Sequence, residues 1–190
     1  MKEYIITVMA QDRVGIIRDV SSALARLDGN ITRMSQTVMR GYFTLIVAVE
    51  MPDERTQLEI RQAIERTGQV GEFEVNVRPY VAAPVCESCA AERFVLSMQG
   101  GDRKGIIAGA TGYLADRGIN IEDVYAYIHE GRALILAQVS VPLKIDIEEL
   151  QAGLQEALAD HGIVAHLQDE NIFRATSEVW PVLGLQRTGQ

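Results

Sequence analysis

Hydrophobic positions fall into short runs whose period switches between two and about 3.6 residues. Tyr4–Met9 is an apolar run rich in β-branched residues, which suits a central strand. Val14, Ile17, Val20, Leu24 and Leu27 then recur at helical spacing, with Arg18, Asp19, Ser22 and Arg26 on the wet face and Asp12 where an N-cap would stand. Asp28-Gly29-Asn30 stops that helix and starts a strand through Val38. Arg40-Gly41 reads as a hairpin turn, and Phe43, Leu45, Val47, Val49 and Met51 alternate along the return strand. A second helix is expected over about 54–67, and Phe73, Val75 and Val77 alternate in a closing strand.

The same pattern returns. A shift of 90 residues aligns Tyr4–Pro52 with Phe94–Pro142 without a gap, and twelve of the 49 pairs are identical, among them Asp12/Asp102, Gly15/Gly105, Asn30/Asn120, Gly41/Gly131 and Pro52/Pro142. In the second copy the later helix carries Ile147, Leu150, Leu154, Leu158 and His161 before Gly162. The fold expected from this is α+β: two ferredoxin-like βαββαβ domains, each an antiparallel four-stranded sheet with its helices on one face. Their bounds are read as 1–80 and 92–176, with a linker at 81–91 and a tail at 177–190 that extends the last helix briefly before fraying. Ile46, Ala48, Leu134, Leu136 and Gln138 sit on the face away from the helices, which points to partial cover by a partner domain or chain.

Composition is that of an ordinary globular protein, 47% hydrophobic and 23% charged, and 18 Lys+Arg against 26 Asp+Glu leave a net charge of −8. That charge opposes broad, non-specific binding to nucleic acid, so no direct nucleic-acid partner is expected. No apolar run approaches the roughly 20 residues of a membrane span, and the start of the chain lacks a signal peptide's core, so a cytoplasmic, membrane-free protein is expected. Cys86 and Cys89 form a Cys-x-x-Cys in the linker, open to three readings: half a metal site, a redox pair, or two plain linker cysteines. No cofactor is implied, and no Ser/His/Asp or paired-carboxylate constellation can be argued from spacing.

The repeated feature is Asp-Arg-x-Gly-Ile-Ile, at Asp12–Ile17 and Asp102–Ile107, where a strand turns into a helix. With Asp as N-cap, Gly15 and Gly105 fall at the third helical position, and free N–H groups of the first turn favour an anion such as an amino acid's carboxylate. Asp12 or Asp102, or nearby carbonyls, would receive the ammonium group. A plain cap followed by a close-packing glycine explains the same motif without a ligand. The glycines of Ala108-Gly109-Ala110-Thr111-Gly112 each cost about 1 kcal/mol relative to alanine inside a helix. Helix 104–117 is therefore expected to approach the other domain or a ligand closely.

Asp12–Ile17, Gly29-Asn30-Ile31 and Ser35–Thr44 resemble an ACT domain, most of all the small stand-alone ACT proteins, and so do Asp102–Ile107, Gly118–Ile121 and Gln168–Ala175. The tandem is similar to regulators such as the glycine cleavage system transcriptional repressor. The resemblance implies a non-enzymatic regulatory protein that pairs as a homodimer and binds an amino acid or similar small ligand at the paired interface. It would act on transcription or metabolism through a protein partner. Carried onto this chain, the ligand-binding positions are Asp12, Arg13, Val14, Gly15, Ile16 and Asn30, with Asp102, Arg103, Lys104, Gly105, Ile106 and Asn120 in the second copy. The alternative is a scaffold that pairs without a ligand or is linked by metal at Cys86 and Cys89. An enzyme is disfavoured because the two repeats consume the length.

Overall fold

The computed structural model of the 190-residue chain describes residues 1–82 and 90–176. Cys86, Cys89 and the tail at 177–190 lie outside the described residues. The chain divides into two compact units, Met1–Pro84 and Val85–Gln190.

In the first unit the order is β1 (Lys2–Gln11), α1 (Ile16–Ala25), β2 (Asn30–Met39), β3 (Tyr42–Met51), α2 (Gln57–Glu65) and β4 (Glu74–Pro79). The sheet runs β2-β3-β1-β4 with every pair antiparallel, which is the ferredoxin-like arrangement. Period-two alternation places Tyr4, Ile6, Val8 and Ala10 of β1 and Phe43, Leu45, Val47, Val49 and Met51 of β3 in the core, under Ile16, Val20, Ala23, Leu24, Ile60 and Ile64 of the two helices. Each fully buried Leu or Ile side chain contributes about 1.5–3 kcal/mol. The second helix starts where its polar residues form a reciprocal cap: Thr56 Oγ1 accepts from the Glu59 N–H, and Glu59 accepts from the Thr56 N–H.

The first helix differs from its expected form. It begins at Ile16, Val14 is 99% exposed and Ile17 is exposed. The buried stripe keeps a helical period but is Ile16, Val20, Ala23 and Leu24, so the expected stripe was out of phase at its first two positions. The chain must first make a left-handed turn at Gly15, with φ +98°, and this takes residues 12–14 out of the helix.

The second unit repeats the plan with β5 (Ala91–Gly101), α3 (Ile106–Ala115), β6 (Asn120–His129), β7 (Arg132–Pro142), α4 (Ile147–Ala157) and β8 (Ile163–Asp169), in sheet order β6-β7-β5-β8. The registers match at the 90-residue shift: Tyr4 faces Val49 as Phe94 faces Val139, and the edge strand bulges between Ile31 and Arg33 as between Ile121 and Asp123. One core position is filled in two ways. A side chain at Gly29 would lie 2.5 Å from Met51 Sδ, whereas the second unit has Ile119 and Val141 there, both buried. The bulk has moved from one strand to the other.

Within its own unit, helix α3 has a close neighbour in α4 and the turn that follows it. A Cβ added at Gly109 would lie 3.7 Å from Leu158 Cδ2 and His161 Nε2, and a side chain at Gly153 of α4 would collide with the Tyr113 ring of α3, while a Cβ at Gly112 would point into open space. A further helix, α5 (Glu170–Thr176), follows β8. Phe173 packs with Val95 and Leu136, side chains that alternate away from the main core, so α5 covers part of the opposite sheet face. Gln138 donates to Glu170 at 3.1 Å, and Arg174 pairs with Glu170 at 2.9 Å. The cover expected from a partner is thus supplied at Leu136 and Gln138 by the chain's own helix, while Leu134 and Ile46 remain exposed. Among the described residues no helix is long and apolar enough to cross a membrane.

Candidate functional site

Strand β1 ends at Gln11, and the next residue is pinned: the Asp12 N–H donates to the Gly41 carbonyl at 2.8 Å, tying the β1–α1 loop to the β2–β3 hairpin turn. The second unit repeats this with Asp102 and Gly131, also at 2.8 Å. Arg40 and Gly41 of the turn have φ +50° and +81°, a pair of left-handed residues that matches the twist of the flanking strands.

Neither aspartate caps its helix. The N-caps are Gly15 and Gly105, at φ +98° and +94°, and no side chain accepts from the first turn. Their carbonyls instead accept from the Asp19 N–H at 2.9 Å and the Gly109 N–H at 2.8 Å. The glycines are required by backbone angle, and the first-turn donors that precede the helical ladder belong to Ile16, Ile17 and Arg18 in one unit and to Ile106, Ile107 and Ala108 in the other.

The structure brings Asp12, Arg13, Val14 and Gly15 together at one loop and turns the Ile16 side chain into the core. Asp102, Arg103, Lys104 and Gly105 gather likewise, with Ile106 buried. It does not bring the asparagines there. Asn30 pairs with Glu50 and Asn120 with Ser140, at the end of the sheet opposite the hairpin turn. Eight residues of β3 separate Glu50 from Tyr42, about 26 Å at 3.3 Å per residue.

The two loops are dressed differently. In the first unit Arg13 Nη1 lies 2.9 Å from Asp19 Oδ2, its Nε donates to Glu72, and its guanidinium sits 5.5 Å from the centre of the Phe73 ring. Arg18 also donates to Asp19, at 2.8 Å. Arg18 and then Arg13 hold the Asp19 carboxyl below its usual range, and Arg13 with the Gln69 N–H does the same to Glu72. Glu72 first and Asp19 second hold the Arg13 guanidinium in its charged form. A hollow of about 410 Å³ opens beside this network, bordered by Met9, Tyr42, Glu72 and Glu74. In the second unit Arg103 donates to the Asp160 carbonyl at 3.2 Å, and His161 takes the place of the ionic network. Its Cε1 is 3.3 Å from where a side chain on Gly105 would begin.

Sequence reasoning treated His161 as a helix-end residue and missed its place over the loop. Its three-residue step from buried Leu158, facing a helix whose position 109 has no side chain, is the signal that marks it. Asp19 and Glu72 were missed too. Asp19 looked like part of a wet helix face, and Glu72 lies 59 residues from Arg13, a separation that leaves no local pattern.

Residues 4–69 and 92–168 each match a family model described as ACT domain. The chain is 40% identical over 76 residues to a UPF0237 protein of Methanosarcina mazei, covering 40% of this chain and 83% of that one. It is 34% identical over 74 residues to a UPF0237 protein of Streptococcus mutans, covering 39% and 84%. Among solved structures, a protein of unknown role from Galdieria sulphuraria matches with a TM-score of 0.73 at 24% identity, over 88% of this chain and 98% of that one. A candidate glycine cleavage system transcriptional repressor matches with a TM-score of 0.66 at 17% identity, over 88% and 96%. At these identities the two structural likenesses establish the fold.

Proposed function

Because this chain belongs to the ACT domain family and carries two such domains in tandem, we propose that it is a regulatory protein that binds an amino acid or a similar small ligand at the β1–α1 loop. The observation that carries this reading is the twice-built loop, in which a left-handed glycine opens the helix start and an adjoining backbone bond ties the loop to the hairpin turn. A carboxylate would accept from the first-turn N–H groups, aided by about 0.3–1 kcal/mol from the helix dipole. In the first domain the ammonium group would turn toward Asp12 or Glu72.

Pairing accounts for the asparagines. β2 is an edge strand, exposed along nearly its whole length, and Asn30 and the loop stand at its opposite ends. Antiparallel pairing of this edge with the same edge of a second copy would carry each Asn30 toward the other copy's loop. The ligand would then favour the paired state, and a protein partner would read that state to regulate transcription or metabolism.

A second reading, a paired scaffold without a ligand, draws on one observation: the ionic network and His161 already lie against the two loops. Thermal unfolding of the whole chain against each common amino acid separates them. A ligand at 100 times its Kd stabilises by about 2.7 kcal/mol, whereas an unchanged melting curve with every amino acid favours the scaffold.

A further inference from the structure

A second feature of the first domain lies apart from the hairpin turn. A groove of about 600 Å³ opens between α1 and α2. Arg18, Ser22 and Arg26 line it from one face of α1 at successive four-residue steps, and Arg66 and Thr67 line it from the end of α2. The acid in its wall, Asp19, is already held by Arg13 at 2.9 Å and Arg18 at 2.8 Å. Among the described residues Arg26 has no carboxylate partner and neither has Arg66, whose side chain reaches Gln62 Oε1 at 3.5 Å.

The second domain is an internal control. Ala108, Gly112 and Asp116 stand where the first domain has Arg18, Ser22 and Arg26, on a helix of the same length and place in the fold. The fold therefore does not require these cations. In a chain of net charge −8 they and Arg66 gather three cations around one groove, against one acid in its wall. Guanidinium groups present a planar fork that matches phosphate and carboxylate oxygens two at a time, and Arg26 and Arg66, beside an Arg18 whose fork is engaged by Asp19, suit a ligand with more than one negative charge.

We propose that the α1–α2 groove of the first domain binds a small multivalent oxyanion, a phosphorylated or polycarboxylate metabolite, separately from the amino-acid loop. Calorimetric titration of the whole chain with pyrophosphate and with citrate, at matched ionic strength set by NaCl, tests this. Saturable binding of one or both is expected, weakening as salt rises, with pyrophosphate alone marking a phosphate ligand and citrate alone a polycarboxylate. Combined Arg26→Ala and Arg66→Ala should weaken it at least tenfold, and Arg26→Gln alone, at an exposed position, at least threefold with an unchanged circular dichroism spectrum. No saturable binding of either anion overturns the proposal, as does full affinity in both variants. Capture of an acidic peptide with neither anion bound overturns it as well. The amino-acid reading depends on the loop and this one on Arg26 and Arg66, so the two fail separately.

Discussion

Replacing Gly15 by alanine distinguishes two accounts of the loop that differ in sign. Were Gly15 the third residue of a helix capped by Asp12, alanine would stabilise the domain by about 1 kcal/mol, the propensity difference between the two residues. The structure has Gly15 at φ +98°, where an L side chain costs about 1–2 kcal/mol. A new Cβ would also come within 3.1 Å of Arg18 Nη2, the far end of a flexible and largely exposed side chain that can swing aside. Losing its bond to Asp19 adds little at such a solvent-screened surface site. The expected change is thus a destabilisation of about 1–2 kcal/mol, and each kcal/mol lowers the melting temperature of a domain this size by about 4–8 °C. Urea unfolding followed by circular dichroism, with Gly15→Asn alongside, measures it. Asparagine tolerates positive φ better than alanine and should lose less. A Gly15→Ala protein as stable as the parent, or more so, would refute the left-handed cap and restore the aspartate as the helix start.

Three further outcomes follow from other parts of the molecule. Gly29→Ala should destabilise by about 1–3 kcal/mol, since its side chain would lie 2.5 Å from Met51 Sδ and 3.0 Å from the Leu24 carbonyl. Adding Met51→Val, the residue type at Val141, should restore much of that loss, and a double-mutant cycle showing plain additivity would contradict the proposed exchange of bulk. Phe173→Ala should cost about 3 kcal/mol in the second domain by uncovering Val95 and Leu136, read from denaturant unfolding; a loss below 0.5 kcal/mol would mean that α5 does not hold that face. The last concerns pH. Asp19 and Glu72 are held below their ordinary values of 3.8 and 4.5, so they stabilise the fold above those values and lose that contribution as pH falls through their lower folded-state values. The stability gap between the parent and Arg13→Met should hold from pH 7 to about 5 and shrink below about pH 4.5, whereas a gap constant down to pH 2 would contradict the network.

Much of the fold was legible because its signals are local or repeated. The alternation of Phe43 through Met51, the Arg40-Gly41 turn and the gapless 90-residue shift name the strands, the hairpin and the duplication without any tertiary information. The loop was legible as a motif but misread in geometry. An Asp three residues before a Gly fits a capped helix as well as a left-handed cap, and the choice depends on the Asp12–Gly41 bond to a turn far along the chain. The seat of α5 on the outer sheet face was not legible, because one apolar anchor, Phe173, on a seven-residue helix makes no periodic pattern.

Sequence alone determined the element order, the twofold repeat and which strand faces are apolar, since these depend on side-chain period and on turn residues close along the chain. Tertiary structure decided what stands over each helix start: an Arg13–Asp19–Glu72 network in one domain and His161 in the other. It also decided that Asn30 and Gly15 lie at opposite ends of one sheet. The physical reason is distance along the chain. Charge pairs and close contacts between residues 50 or more positions apart are set by how strands register and helices pack, and no window of sequence contains both partners.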